Sequence, residues 1–317
     1  MEPLFHFCQS IKVNIMQIRV LGSGAGGGFP QWNCSCPNCK AVRSNNIKTS
    51  KRNQSSIAVT SDGEHWVLFN ASPDVRAQLE SFPEIHPKDK VRGTGIEAIV
   101  IIDSQIDHVT GLLILREGDP LNIYCTDMVK QDLTTGFPIF NILEHFCGVN
   151  EHRIPLNGDA FSIPNIDDLE FTALPLSSKA PPYSPHRDDP HEGDNIGIII
   201  RQISTGNRVF YAPGLGMIEP HVEKVMSQAD CVMVDGTFWS DDELASVGRP
   251  LLARKIGHIP QSGKDGMIEF LDTLEKPRKV LIHINNTNPI LDEDSAERDI
   301  LSQHNIEVSY DNMTIEL

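Results

Sequence analysis

The stretch DSQIDHVTG, Asp103 to Gly111, decides how this chain is read. It follows GIEAIVII, Gly95 to Ile102, an apolar run that predicts a strand buried on both faces. It leads into a predicted helix from about Asp107 to Arg116. A loop between the carboxyl end of a buried strand and a helix is where α/β proteins gather functional side chains. Asp107 and His108 are adjacent there, with Asp103 and Gln105 alternating before them. On extended backbone, residues two apart point the same way, so Asp103, Gln105 and Asp107 face one cavity. Taken alone, the pair also fits a helix N-cap at Asp107 and a surface histidine at His108.

The same layout recurs further along the chain. His283 in LIHINN ends an apolar strand predicted from Val280 to Ile284. Asp235 in VMVDGTF ends another, Cys231 to Val234, and His258 lies in a loop before a helix predicted over Met267 to Lys276. Two histidines and one carboxylate with open positions form the donor set of non-haem iron oxygenases. Asp107, His108 and His283 supply that set. Asp235 and His258 then make a carboxylate–histidine pair for orientation or proton transfer.

Around these stretches the pattern alternates strands and helices without a repeat. Gln17 to Leu21 is a short strand, and Ser56 to Asn70 is a hairpin around Asp62-Gly63. Ser72 is placed as a helix N-cap with Pro73 at the first helical position. Leu121 to Cys125 is a strand, followed by helical stretches up to Phe146. The second half has strands near Phe161 and Phe171, a hairpin turning at Thr205-Gly206-Asn207, helices over His221 to Ser227 and Ser295 to His304, and two final strands. Hairpins followed by α/β units, given twice, predict two mixed sheets packed together with helices outside. The Pro-rich segment Ser177 to Asp194 breaks the pattern, and a loop of that length in a compact chain is commonly functional.

The glycine-rich LGSGAGGGFP, Leu21 to Pro30, lacks the helix that a dinucleotide fingerprint opens directly after its glycines. It reads instead as a tight turn needing positive φ. Cys34, Cys36 and Cys39 follow as CxCxxC, and no helix is predicted there. Three thiols this close suit a structural zinc, with a fourth ligand from elsewhere.

The formal net charge is −16, which argues against nucleic acid as substrate. No apolar run reaches membrane-spanning length. The seven cysteines, three of them within six residues, suit a reducing cytoplasm and a metal rather than a disulfide framework. Residues 1–15 are read as a leader, with Met1 or Met16 as the start, and residues 16–317 as one domain.

Several of these stretches resemble one family: LGSGAGGGFPQWNCSCPNC, NASPDVRAQL, DSQIDHVTGLLILREG, CTDMVKQDLTTGFP, APPYSPHR, FYAPGLG, VDGTFW, MIEFLD and LIHINNTNPIL. Together they resemble the metallo-β-lactamase superfamily and, within it, the pyrroloquinoline quinone (PQQ) biosynthesis protein B family. The resemblance implies an αββα sandwich with a metal site at one edge. The superfamily's HxHxDH signature falls on Asp103, Gln105, Asp107 and His108, so its first two histidines are absent. Its bridging aspartate falls near Gly214 and is also absent. A two-zinc hydrolase is thereby disfavoured, and one metal on Asp107, His108 and His283 remains, with Asp103 or Gln105 as further candidate donors. Iron(II) is favoured over zinc, manganese or magnesium.

The family implies hydroxylation of the tyrosine-derived part of a glutamate–tyrosine precursor, with His186 and Arg187 helping to hold the anionic substrate. The alternatives are a carrier delivering PQQ or a precursor toward the periplasm, and a metal-dependent phosphodiesterase. Asp235 and His258 match positions used for proton donation in related RNA-processing nucleases. A phosphonate-pathway phosphodiesterase completes a similar cysteine site with a histidine where this chain has Asn286, which leaves His258 or water as candidates. The resemblance further implies other PQQ biosynthesis proteins as partners and a homodimer stabilised near the zinc.

Overall fold

The structure is a computed structural model and describes residues 14–88 and 90–317. Residues 1–13, most of the expected leader, lie outside the described residues. The first half contributes β1 (Gln17–Gly22), α1 (Pro37–Arg43), β2 (Ser56–Thr60), β3 (Trp66–Phe69), α2 (Val75–Glu80), β4 (Ile96–Val100), α3 (Ile106–Val109), β5 (Leu121–Cys125), α4 (Asp127–Thr134), α5 (Ile139–Leu143) and β6 (Val149–Arg153). The second contributes β7 (Leu169–Pro175), β8 (Ile196–Gln202), β9 (Arg208–Ala212), α6 (Pro220–Gln228), β10 (Cys231–Asp235), α7 (Met267–Leu271), β11 (Arg278–Ile282), α8 (Ala296–Gln303), β12 (Ile306–Val308) and β13 (Thr314–Glu316).

Two sheets result, with strand orders β13-β1-β2-β3-β4-β5-β6 and β12-β11-β10-β9-β8-β7. Strand periodicity explains their packing. In β2, Ile57 and Val59 face the core between the sheets, where they join Phe69, Val100, Phe171, Ile198, Tyr211 and Met233. Ala58 and Leu68 point the other way, under the helices of the first half. Val232, Val234 and Leu281 do the same under α6, α7 and α8. Each sheet is apolar on both faces, as an αββα sandwich requires. No helix among the described residues is long and apolar enough to cross a membrane.

Several elements differ from the sequence reading, among them the helix expected over Met267 to Lys276, which is the short α7. The helix expected over residues 107–116 is only the α3 turn, continued by a 3-10 turn over Thr110–Leu113. The reason is tertiary: the His108 carbonyl accepts from Ala71 N at 2.7 Å, and Gly111 N donates to the Ala71 carbonyl at 2.9 Å. Those groups are lost to the α-helical ladder. Ser72 is not an N-cap, because α2 begins at Val75 behind Asp74, and the Ser72 hydroxyl bonds Asp74 N and Gln78 instead. Phe161 makes only an isolated bridge to Phe171. A helix does form among the cysteines: α1, with Cys36 at its N-cap, Pro37 in its first turn and Cys39 inside it. The strand β6 had no sequence signal, since Val-Asn-Glu-His-Arg is polar and its burial alternates weakly.

The parallel strands β4, β10 and β11 all end at one edge of the sandwich. There the Asp103–Asn195 bridge and the bond from Ile196 N to the Ile102 carbonyl, 3.1 Å, join the two sheets.

Candidate metal centre

The end of β10 and the segments leaving β4 and β11 deliver Asp235, Asp107, His108 and His283 to this edge. The ligand atoms of Asp107, His108 and His283 lie within 4.8 Å of one another, as do those of Asp235, His258 and His283. His283 is shared by the two groups. Its Nε2 is 3.3 Å from Asp107 Oδ2, and its ring centre is 5.5 Å from that of His108 and 5.7 Å from that of His258.

Each imidazole has one nitrogen occupied from behind. His108 Nδ1 meets Asp103 Oδ1 at 2.7 Å, and His258 Nδ1 meets Asp235 Oδ2 at 2.7 Å. His283 Nδ1 meets the Thr237 hydroxyl at 2.9 Å. His108 Nε2 is buried and has no hydrogen-bond partner among the described residues. A buried, unpartnered ring nitrogen is costly unless something accepts its lone pair or proton. Outer partners of this kind are what fix the tautomer and orientation of metal-binding histidines.

The electrostatics agree. Burial alone raises the Asp107 carboxyl, but His108 and His283 hold it well below the usual carboxylate range. Burial lowers His108, yet Asp103 and Asp107 push it up to about 9. Asp235 is likewise held below its ordinary range, against burial, by His258, His283 and Thr237. Asp103, Asp107 and Asp235 thus stand beside the three imidazoles as carboxylates, a charge pattern that suits a cation.

The glycine-rich turn takes part through its backbone. Gly27 and Gly28 have φ of +93° and +65°, as the tight-turn reading requires. A Cβ on Gly26 would stand 3.1 Å from Asp107 Oδ2, so the turn closes over the aspartate where a side chain would crowd it. Ala25 N donates to the Ile284 carbonyl at 2.9 Å, which ties the turn to the His283 loop.

Asp103 and Gln105 do not join the cluster as ligands. Asp103 bonds the rear nitrogen of His108 and caps Gln105 N, and Gln105 stands at the start of α3 without a capping bond. His186 and Arg187 do not face the cavity either. His186 is buried with Nε2 2.6 Å from Asp194 Oδ1, and Arg187 donates to the Ala180 carbonyl. Both hold the Pro-rich loop in its own shape. That loop reaches the site through Tyr183, whose hydroxyl donates to the Ser104 carbonyl beside Asp103.

The thiols of Cys34, Cys36 and Cys39 form a third group with ligand atoms within 4.8 Å. Burial pushes the Cys36 thiol up to about 12. The side-chain amide of Asn286 sits 3.2, 3.5 and 3.4 Å from the three sulfurs. In a tetrahedral zinc site with Zn–S about 2.3 Å and Zn–O about 2.1 Å, the fourth donor lies roughly 3.6 Å from each sulfur. Asn286 occupies that vertex, and a half-turn of its amide presents the oxygen. His258, the sequence candidate for this place, is bonded to Asp235 instead. Sequence reasoning missed Thr237, although it stands two residues after Asp235 in VDGTFW.

Residues 65–284 match the beta-lactamase superfamily domain. The chain is 62% identical over 304 residues to the coenzyme PQQ synthesis protein B of Methylococcus capsulatus, covering 95% of this chain and all of that protein. It is 56% identical over 304 residues to the same protein of Pseudomonas putida, again with 95% of this chain covered. Among solved structures, zinc-bound PqqB from Methylobacterium extorquens superposes with a TM-score of 0.87 at 33% identity, covering 95% of this chain and 100% of that one. The chain therefore belongs to the coenzyme PQQ synthesis protein B family of the metallo-β-lactamase superfamily, and its place is in PQQ biosynthesis.

Proposed function

We propose that this protein is an iron(II)-dependent hydroxylase acting on the tyrosine-derived part of a glutamate–tyrosine precursor of PQQ. The observation that carries the reading is the convergence of Asp107, His108 and His283, with His108 Nε2 buried and unpartnered among the described residues. The donor set fits a divalent ion of mixed nitrogen and oxygen preference, and two histidines with one carboxylate leave coordination positions free. Bound iron(II) supplies redox chemistry with dioxygen that no side chain provides.

The residues around it have assignable tasks. Asp103 holds the His108 ring so that Nε2 faces the cavity. Asp235 holds His258 by Nδ1, and the His258 side chain is 19% exposed, so it can pass a proton between cavity and solvent. Tyr183 fixes the Pro-rich loop beside the site, where that loop selects the substrate. A two-metal hydrolase is disfavoured because Asp103 is turned to His108 and Gly214 has no side chain to bridge metals. A structural zinc on Cys34, Cys36, Cys39 and Asn286 completes the reading. Trp32, 85% exposed near these cysteines, supplies apolar surface for the homodimer, which light scattering checks.

The test is a single turnover. Protein loaded anaerobically with iron(II), then given oxygen, a two-electron reductant such as ascorbate and the glutamate–tyrosine precursor, yields a product heavier by one oxygen, the second oxygen atom leaving as water. Tight binding of the quinone without turnover under any metal makes it a carrier instead.

A further inference from the structure

Thr237 stands where the exits of β10 and β11 touch. Gly236 N donates to the Ile282 carbonyl at 2.7 Å, and a Cβ on Gly236 would lie 2.8 Å from that same oxygen. Only a residue without a side chain lets the two exits approach this closely. The approach lays the Thr237 hydroxyl against three groups: Asp235 Oδ1 at 2.6 Å, His283 Nδ1 at 2.9 Å and the His283 carbonyl at 2.9 Å.

The hydroxyl has one proton. Asp235 receives backbone N–H bonds from Leu215 on Oδ2 and Thr237 on Oδ1, and His258 adds a third donor. A carboxylate is a stronger acceptor than a carbonyl, and 2.6 Å is the shortest of the three contacts, so the proton points to Asp235 and not to the His283 carbonyl. The oxygen lone pairs then face His283, and Nδ1 must be the donor. His283 also has φ of +62°, a left-handed conformation that a side-chain-bearing residue keeps only when its surroundings hold it.

We infer that Thr237 is a positioning residue which fixes His283 as the Nδ1–H tautomer, so that the single carboxylate of Asp235 orders both His283, through Thr237, and His258 directly. Both rings then present Nε2 forward, and a change at one side is felt at the other. The inference rests on the proposed metal role of His283.

Cobalt(II) titration followed by absorption reads both metal sites of the full chain separately. The cysteine site gives a strong sulfur-to-cobalt charge-transfer band, and with one equivalent of zinc already on the cysteines the histidine site gives weak d–d bands of its own. Thr237→Val keeps the shape and removes the hydroxyl; it should weaken cobalt at the histidine site by about 10- to 100-fold with the thiolate band unchanged. Thr237→Ser should restore it. Wild-type affinity in the valine variant overturns the inference. If that variant loses the thiolate band through misfolding, nitrogen NMR of the imidazoles in unaltered, metal-free protein decides: a proton on His283 Nδ1 supports the inference and one on Nε2 overturns it. If the unaltered protein shows no d–d band, the metal reading has failed by itself, and the same NMR result still settles the tautomer.

Discussion

Replacing Gly111 by alanine tests whether the histidine-bearing turn is fixed by its contact with the end of β3. An added Cβ would lie 2.2 Å from the Ser72 carbonyl oxygen, 2.7 Å from that of Ala71 and 2.8 Å from the Ala71 carbonyl carbon. All three are backbone atoms, so no rotamer relieves the clash and the turn itself must move. Moving it strains or breaks the bonds from Ala71 N to the His108 carbonyl, 2.7 Å, and from Gly111 N to the Ala71 carbonyl, 2.9 Å. Overpacking costs about 1–3 kcal/mol, and two buried hydrogen bonds add about 1 kcal/mol each. The expected destabilisation is about 3–5 kcal/mol. Urea unfolding should show it as a lower midpoint at unchanged m-value. Because His108 lies in the same turn, metal affinity at that site should fall as well. A variant within about 1 kcal/mol of wild type that retains full metal binding would refute the argument, since ordinary surface substitutions lie in that range.

Asp103→Asn removes the charge behind His108 and should lower metal affinity at the histidine site by about 10- to 100-fold, measured by competition with a chelator; an unchanged constant contradicts the orienting role. Asn286→Ala should speed zinc release from the cysteines to a chromophoric chelator, and unchanged release would mean that water completes the site. Glu243, 9% exposed, is raised by burial from 4.5 to about 7. A carboxyl raised in the folded state stabilises fully below the unfolded value and loses that contribution as pH rises through the folded one. Stability should therefore fall by about 3 kcal/mol between pH 4.5 and 7 on account of this group. Glu243→Gln should remove that slope in pH-dependent unfolding; a slope identical to wild type contradicts the burial argument.

The sandwich was legible because both sheets are buried on two faces, so runs such as GIEAIVII and CVMV carry the apolar signature through the whole strand. The strand-end positions of Asp107, His108, Asp235 and His283 were legible for the same reason. What sequence could not supply was decided by tertiary contact. The helix after His108 is cut short by Ala71, which is remote in sequence and has no pattern of its own. The α1 helix starts on cysteines whose metal-binding spacing masked a capping residue and a first-turn proline. His186 and Arg187 had the chemistry of an anion site, but Asp194 and the Ala180 carbonyl take them first. Thr237 was invisible because a threonine after a strand has many ordinary uses; only its distances to Asp235 and His283 distinguish it.

On the proposed reading, Asp107, His108 and His283 form one metal centre distinct from a zinc on Cys34, Cys36 and Cys39. Metal analysis of protein reconstituted anaerobically with iron(II) and zinc, compared with His108→Ala and His283→Ala, tests it most directly. Two metals per chain are expected in the parent protein and one in each variant, with the zinc retained. Two metals retained in both variants, or both metals lost together from a folded variant, would contradict it.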